Sequence, residues 1–385
     1  MSNLVPEHRL NYRLVTVEGS DALSFLQAQL CNDVSALACW SSTEKPDEKP
    51  QAQLSGYCNA KGRLYAVFWI WRENPERFQL LMPASLAPSL VKRLSMFVLR
   101  AKVKIRQADS EIYGLTLPRA LETPQIAVHG MTLLPAEWPA LQGPDASASR
   151  YWLIGPEASR PEVESPMGIP PAQVPNIQAA QAGQAAQAGQ AGQAGQAGQA
   201  ESSTAHPQCL EDQLDALISA GYHYELLSPS DWAEAEIRQG LPWFEVELIE
   251  RFVPQTINLD LLDGVSFSKG CYPGQEIVAR SHYLGKLNQR MFLFEGPAGL
   301  LPGEDVFLAS AEALGEQPIG EVVSVTPVKA SQKARYLVSL KLEPFRDQAA
   351  VVGVVTSSGA RVTLDLQDVP YAVPREPQVP NRPKL

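Results

Sequence analysis

An uncharged run of glutamine, alanine and glycine at residues 178–200 limits where this chain can form a folded core. Such a run has no apolar face to bury, and burial is what offsets the conformational entropy lost on folding. Each recurring glycine also costs about 1 kcal/mol in a helix relative to alanine. Together with the Pro-rich stretch at 156–175, the run predicts a disordered insertion over residues 156–205 between two ordered stretches.

The rest of the chain has the composition of a globular protein. Its 385 residues are 45% hydrophobic, which is enough for two or three packed units. The formal net charge of -10 argues against direct nucleic-acid binding, because that binding depends on clustered Lys and Arg. No apolar run of about 18 residues and no signal-peptide core are present. We therefore expect a cytoplasmic protein with no membrane partner.

The cysteines do not form a pattern typical of a disulfide framework or a metal site. They are odd in number and scattered, which favours reduced thiols. No Cys-x-x-Cys or His-Glu-x-x-His spacing occurs, so we predict no metal site. The five cysteines are Cys31, Cys39, Cys58, Cys209 and Cys271.

The first hundred residues alternate between strand-like and helix-like patterns, as is typical of a mixed α+β domain. Ser20 or Asp21 is available to cap the first helix. Residues 59–62 have the composition of a hairpin connection between two strands. The pattern predicts strands at 12–17, 53–58 and 64–71 and helices at 23–34 and 86–97, with Pro88 in the first turn of the second helix.

After the insertion, helical patterns give way to short β-rich runs. One helix is predicted from Leu210 to near Gly221. Another is predicted to begin at Ser230-Asp231-Trp232, with Glu234 placed to close a capping box and Gly240 ending the helix. The β-rich runs predict a small barrel-like domain over residues 289–373, and residues 374–385 form a Pro-rich tail.

The segment Lys269-Gly270-Cys271-Tyr272-Pro273-Gly274-Gln275-Glu276 carries the densest chemical signal. Pro273 suits the first turn of a helix, so Cys271 would lie just before the positive end of a helix dipole. With Lys269 nearby, this position favours a thiolate, and the two glycines would permit unusual backbone geometry. Alternatively, Cys271 is a small buried residue in a tight turn, and Gln275 and Glu276 are ordinary helix-start residues. Local physics leaves both interpretations open.

This segment resembles the signature of the YgfZ family of folate-binding proteins, Lys-Gly-Cys-Tyr-x-Gly-Gln-Glu, at every fixed position. Residues 25–34, 58–63 and 237–242 are also similar to blocks of that family, so the resemblance covers ordered pieces from about residue 10 to 345. A more distant relative is the aminomethyltransferase (T protein) of the glycine cleavage system. The resemblance implies an α+β fold arranged as a three-domain T-protein-like ring. It has a discontinuous folate-binding domain, a ferredoxin-like domain and a C-terminal β-barrel. Residues 1–155 and 206–288 would form the folate-binding region, including the ferredoxin-like subdomain.

The same resemblance implies the site residues and the cofactor. Cys271 is the candidate reactive thiol and Lys269 its companion. Tyr12 and Trp232 would contact tetrahydrofolate or a derivative, and offset stacking on a flat pteridine adds about 0.5–1.5 kcal/mol. Core packing is the alternative for both aromatic residues. The remaining motif residues are Gly270, Tyr272, Gly274, Gln275 and Glu276.

Two departures separate the chain from the T protein. The transferase's acidic pair corresponds to Tyr65 and Ala66 here, and its folate-contacting glutamate aligns with Arg238 or, after a small shift, with Glu236. Without the catalytic carboxylate, aminomethyl transfer is not expected.

The resemblance then implies a tetrahydrofolate-binding accessory protein that is not a conventional enzyme. It would assemble, maintain or repair iron–sulfur clusters in client enzymes and indirectly support tRNA modification. Its partners would be those enzymes or assembly proteins. Two alternatives remain: a tetrahydrofolate-dependent one-carbon transferase, which requires a carboxylate at the pocket, and a pure binding module in which Cys271 is structural.

Overall fold

The computed structural model describes most of the chain on either side of residues 156–205. The described residues are 6–39, 52–117, 132–136, 149–155, 214–215, 218–219, 223–283, 287–308, 317–326, 333–354 and 358–377. Three predictions fall largely or wholly outside these residues: the insertion at 156–205, the thiol of Cys209, and the helix from Leu210 to Gly221.

The N-terminal part contains a five-stranded antiparallel sheet. Its order is β2-β3-β4-β1-β5, so the first strand lies between the fourth and the fifth. The predicted strands and the hairpin at 59–62 are confirmed. Helices α1 (Ala22–Gln29) and α2 (Ala87–Ser95) pack against this sheet. The strands are β1 (Tyr12–Glu18), β2 (Ala52–Cys58), β3 (Leu64–Asn74), β4 (Arg77–Pro83) and β5 (Lys104–Ala108).

The predicted first helix is too long. Helix α1 ends at Gln29, because Leu30 is extended, and Val34 begins a separate 3-10 turn. Leu30 and Val34 are nevertheless fully buried, so burial rather than helical geometry explains the apolar spacing. Asp21 occupies the N-cap position, but its carboxylate accepts from the Lys102 backbone N–H at 2.8 Å and caps no helix N–H. The expected Pro88 in the first turn of α2 is confirmed.

A four-stranded sheet joins the two parts of the chain that flank residues 156–205. Its order is β7-β8-β6-β9, and β9 comes from beyond the insertion. Helix α3 (Pro229–Arg238) follows directly and supplies five of the sixteen cavity residues, Trp232 and Glu236 among them. The strands are β6 (Ile112–Leu117), β7 (Thr132–Pro135), β8 (Ser149–Ile154) and β9 (Glu225–Leu227).

The predicted capping box of α3 is wrong. Ser228 is the N-cap, and its hydroxyl accepts from the Asp231 backbone N–H at 3.1 Å. Glu234 instead pairs with Arg335 of the C-terminal domain at 2.5 Å. Gly240, with φ +67°, ends the helix as predicted.

The C-terminal part is a closed six-stranded barrel, which confirms the predicted all-β domain. Its strand order is β10-β13-β12-β11-β14-β15. Helix α4 (Gln275–Tyr283) precedes the barrel in the chain, and α5 (Leu342–Phe345) connects strands β13 and β14. Among the described residues, no helix combines the length and the apolarity needed to cross a membrane. The strands are β10 (Gln289–Pro297), β11 (Asp305–Leu308), β12 (Gly320–Val325), β13 (Lys333–Lys341), β14 (Ala350–Val354) and β15 (Arg361–Gln367).

Candidate ligand cavity and thiol sites

A cavity of about 290 Å³ lies where β1, α3 and β12 meet. This volume is near the lower end of the roughly 300–1,000 Å³ common for small-molecule sites. Its lining is mostly apolar and aromatic, with two carboxylates among the polar groups. The residues that matter chemically are Tyr12, Trp232, Glu236, Trp243, Glu245 and Ser324.

The cavity brings together the two aromatic residues predicted to contact folate. The Tyr12 ring lies edge-on to Trp152 at 4.7 Å and to Trp243 at 5.9 Å, and Trp152 lies 4.3 Å from Trp232. Gly114 of β6 makes room for this cluster, since a Cβ there would lie 2.0 Å from the Trp232 ring. Burial raises the pKa of Tyr12 well above its ordinary value, and Glu236 and Glu245 add to the rise. The tyrosine therefore stays neutral.

A buried carboxylate stands in the cavity wall. Glu236 is 1% exposed, and its carboxylate accepts from Arg150 Nη1 at 3.0 Å and from the Trp243 indole N–H. Burial raises the pKa of Glu236, while Arg150 and the indole hydrogen bond oppose the rise. Arg238, the other residue considered for the T protein's glutamate, is exposed and is not among the residues that line the cavity.

Two cavity residues carry buried polar atoms that lack a partner among the described residues. These are the indole Nε1 of Trp232 and the hydroxyl of Ser324. A buried donor or acceptor left unpaired costs about 1–3 kcal/mol. These two groups are therefore unsatisfied polar atoms in the wall around the cavity.

The signature segment packs away from this cavity. None of its residues is among those that line the cavity. Gly274 has φ +81°, and a Cβ there would lie 2.4 Å from the Asn59 carbonyl oxygen, so glycine allows the segment to pack on the β2–β3 hairpin. Gly270 has no such requirement, because a Cβ there would meet nothing within 4 Å. Helix α4 starts at Gln275, whose side-chain amide donates to the Lys269 carbonyl at 3.4 Å, while Glu276 is exposed and pairs with Arg280.

The two reactive residues predicted in the signature lie in different surroundings. Cys271 is exposed, so its interpretation as a small buried residue is wrong. Lys269 is buried, and its ammonium donates to the carbonyls of Leu30 at 2.7 Å and Asn32 at 2.9 Å. Burial lowers the pKa of Lys269 to about 8, although Cys31 and Asp33 oppose this. The ammonium therefore lies beside Cys31, and the Tyr272 ring lies 5.5 Å from it.

Sequence reasoning missed several residues of the cavity cluster. Arg150 and Trp152 of β8 and Trp243 after α3 were not predicted, and no motif marked them. Tyr65 and Ala66, which replace the transferase's acidic pair, are not among the residues that line the cavity. The Tyr65 ring lies 5.7 Å from the Arg93 guanidinium instead.

Comparison with solved structures defines the class of fold. The chain is similar to the glycine cleavage system aminomethyltransferase T from Bartonella henselae, with a TM-score of 0.54 and 11% identity. The similarity covers 96% of this chain and 87% of that protein. The predicted T-protein-like α+β fold with a C-terminal β-barrel is confirmed.

Comparison with curated sequences is more specific. The chain is 26% identical over 378 residues to the tRNA-modifying protein YgfZ of Edwardsiella ictaluri, covering 94% of this chain and 91% of that one. It is 27% identical over 304 residues to the protein of the same name from Serratia proteamaculans, covering 78% and 74%. No family model matches the chain. The resemblance to the YgfZ family that the signature indicated is confirmed over most of the sequence.

Proposed function

We propose that this chain binds tetrahydrofolate or a derivative in the cavity. We further propose that it acts as an accessory protein that assembles, maintains or repairs iron–sulfur clusters in client enzymes. The observation that carries the folate part is the cavity itself, in which Tyr12, Trp232 and Glu236 come together. The similarity to proteins named for tRNA modification supports an indirect role in that process.

The residues present fit a reduced pterin. The half-buried Tyr12 ring would contact a flat face of the pterin, and the buried Trp152 and Trp232 would hold that ring in place. The Glu236 carboxylate keeps acceptor capacity beyond its bonds to Arg150 and Trp243, which suits the N–H groups along the ring edge. Tetrahydrofolate, when bound, supplies a carrier for one-carbon units.

Calorimetric titration with tetrahydrofolate tests the cofactor. We expect binding by the wild type, a loss of measurable binding in Trp232→Ala, and at least about tenfold weaker binding in Glu236→Gln. Glu234→Gln is the matched control, because Glu234 is on the same helix but is not among the residues that line the cavity. Absence of binding by the wild type would remove the folate proposal.

Cys271 is proposed as the thiol that acts on clients. It is exposed, and it stands in a motif whose backbone is fixed by packing on the β2–β3 hairpin. An accessible thiol can ligate iron transiently or exchange with another thiol. In cells that carry only the Cys271→Ser variant, we expect lower activities of iron–sulfur enzymes, while the half-buried Cys39→Ser serves as the control. Unchanged activities would leave a folate-binding module with a structural cysteine.

One observation favours the transferase alternative. Two carboxylates, Glu236 and Glu245, line the cavity, and Glu245 accepts a hydrogen bond from the Ser85 hydroxyl. Either carboxylate could accept or donate the proton of a reacting nitrogen. In the T protein this role falls to the acidic pair that this chain lacks. Purified protein would then turn over a methylated or aminomethylated substrate with tetrahydrofolate, and replacing the carboxylate that serves the nitrogen, by Glu236→Gln or Glu245→Gln, would abolish the reaction. No turnover excludes this alternative.

A further inference from the structure

Two buried thiols lie beneath the signature segment. They are separate from the cavity and from the exposed Cys271. Cys31 follows the end of α1, and Cys58 is the last residue of β2. Both are 0% exposed. The Cys31 backbone N–H donates to the Gly56 carbonyl at 2.9 Å, so the chain after α1 runs alongside the end of β2. Cys58 follows Gly56 by two residues, on the same face of β2, so its thiol lies near that of Cys31.

Backbone groups of two glycines surround the Cys31 sulfur. The Gly56 backbone N–H donates to Sγ at 3.1 Å, and the Gly264 carbonyl lies 3.3 Å from Sγ and accepts while the thiol is protonated. A Cβ on residue 56 would lie 3.2 Å from the sulfur, tighter than most real contacts, so glycine leaves the space that the sulfur occupies. A main-chain N–H aimed at sulfur is the kind of donor that stabilises a thiolate.

A buried cation also lies close to the Cys31 sulfur. The Lys269 ammonium donates to the carbonyls of Leu30 and Asn32, the residues on either side of Cys31. Burial raises the pKa of the Cys31 thiol, but the hydrogen bonds from Cys58 and Gly56 and the Lys269 charge outweigh burial and bring it below the ordinary value. The hydrogen bond to Cys31, together with burial, raises the pKa of Cys58. One sulfur is thus poised to lose its proton while its neighbour keeps one.

We propose that Cys31 and Cys58 form a redox pair in which Cys31 reacts with hydrogen peroxide and Cys58 resolves the product to a disulfide. The electron pair of the Cys31 thiolate attacks one peroxide oxygen, the O–O bond breaks, and a sulfenic acid forms. The hydroxide that leaves takes up the proton released when the Cys31 thiol ionised, and this gives the first water. The Cys58 thiol then attacks the Cys31 sulfur, the S–O bond breaks, and the second water leaves with the Cys58 proton. Two thiols lose two electrons, and the peroxide is reduced to two waters. Because both sulfurs are fully buried, the oxidant must be as small as a peroxide.

Mass spectrometry of the full-length chain under non-reducing conditions tests this pair, independently of folate binding. After brief peroxide treatment we expect a mass loss of about 2 Da and a cross-linked peptide joining residues 31 and 58. Cys58→Ser should stop at a Cys31 sulfenic acid that dimedone traps. Cys271→Ser is the control and should form the same cross-link as the wild type. Lys269→Met should slow cross-linking by about tenfold at fixed pH, because it removes the cation beside Cys31.

Several results would overturn the proposal. One is that Cys271 is oxidised while the 31–58 cross-link fails to form in protein that circular dichroism shows to be folded. Another is a cross-link that joins Cys271 to either buried cysteine. Unchanged kinetics in Lys269→Met would show that the ammonium does not activate the sulfur. If dimedone labels Cys58 in the Cys31→Ser variant, the roles of the two sulfurs are wrongly assigned.

Discussion

Gly114 shapes the cavity by leaving space for the Trp232 ring. A Cβ at position 114 would overlap the Trp232 ring, because it would lie only 2.0 Å from a ring atom. Gly114→Ala should therefore displace the indole and cost about 1–3 kcal/mol of unfolding free energy, as overpacking of a core does. It should also weaken tetrahydrofolate binding.

Urea unfolding and calorimetry measure the two effects of Gly114→Ala. Gly155→Ala is the control, because a Cβ there would meet its nearest atom, the Glu111 carbonyl oxygen, at an ordinary 3.5 Å. We expect the control to change stability by less than about 0.5 kcal/mol. Equal effects of the two substitutions would contradict the role assigned to Gly114.

The buried Lys269 predicts a pH dependence of stability. Burial lowers its pKa to about 8 in the native state, against about 10.4 in an unfolded chain. Between these values the unfolded state binds more protons, so this group makes the unfolding free energy rise with pH. Relative to Lys269→Met, the wild type should gain about 1–3 kcal/mol between pH 8 and pH 10. Urea unfolding of both proteins at the two pH values measures the difference, and a difference that stays constant or falls would refute the assignment.

At the scale of elements, helix α3 carries both Trp232 and Glu236, so its N-cap matters for the cavity. Ser228→Ala removes the hydroxyl that accepts from the Asp231 backbone N–H and should cost about 1 kcal/mol. Glu234→Gln should cost less, because Glu234 forms a partly exposed ion pair with Arg335 and no cap. Thermal unfolding of the two variants distinguishes these roles. The reverse ranking would support the capping box that the sequence suggested.

The elements that sequence reasoning predicted well are those set by local pattern. Strands β1 to β3, helix α2 and the barrel strands follow from apolar spacing and turn residues. Helix α1 was overestimated because Leu30 and Val34 continue the apolar spacing while serving a core outside the helix. The N-cap of α3 was misplaced because several polar residues near its start can each act as a cap.

The candidate site could be predicted only in part, for a similar reason. The resemblance identified Tyr12 and Trp232, which the structure places in one cavity. Arg150 reaches Glu236 only because strands β8 and β6 pair, and β6 then pairs with β9 from beyond the insertion. Trp243, in contrast, lies seven residues from Glu236 along the chain. Nothing in the local spacing of residues encodes such pairing. The burial of Lys269 beside Cys31 likewise depends on the return of the chain to the end of α1.

At the scale of the whole molecule, the barrel is tied to the segment that precedes the signature. Arg290 of β10 is 1% exposed and forms a two-point ion pair with Asp260, with N–O distances of 2.6 and 3.0 Å. Asn258 exchanges hydrogen bonds with the Met291 backbone, and the Ser339 hydroxyl donates to the Thr256 carbonyl. These contacts are buried and cross between the two regions. The barrel and the segment should therefore unfold together.

Asp260→Ala tests this coupling. The substitution would leave the Arg290 guanidinium buried without its carboxylate, so it should cost about 3–5 kcal/mol of unfolding free energy. Replacing both residues, as in Asp260→Ala/Arg290→Met, should recover much of that loss because no buried charge remains. Lys333→Ala is the control, since its pair with Glu295 is largely exposed and is worth about 0–1 kcal/mol. We expect one calorimetric transition for the wild type. A cost below about 1 kcal/mol for Asp260→Ala, or two separate transitions in the wild type, would show that the barrel is stable independently of this buried pair.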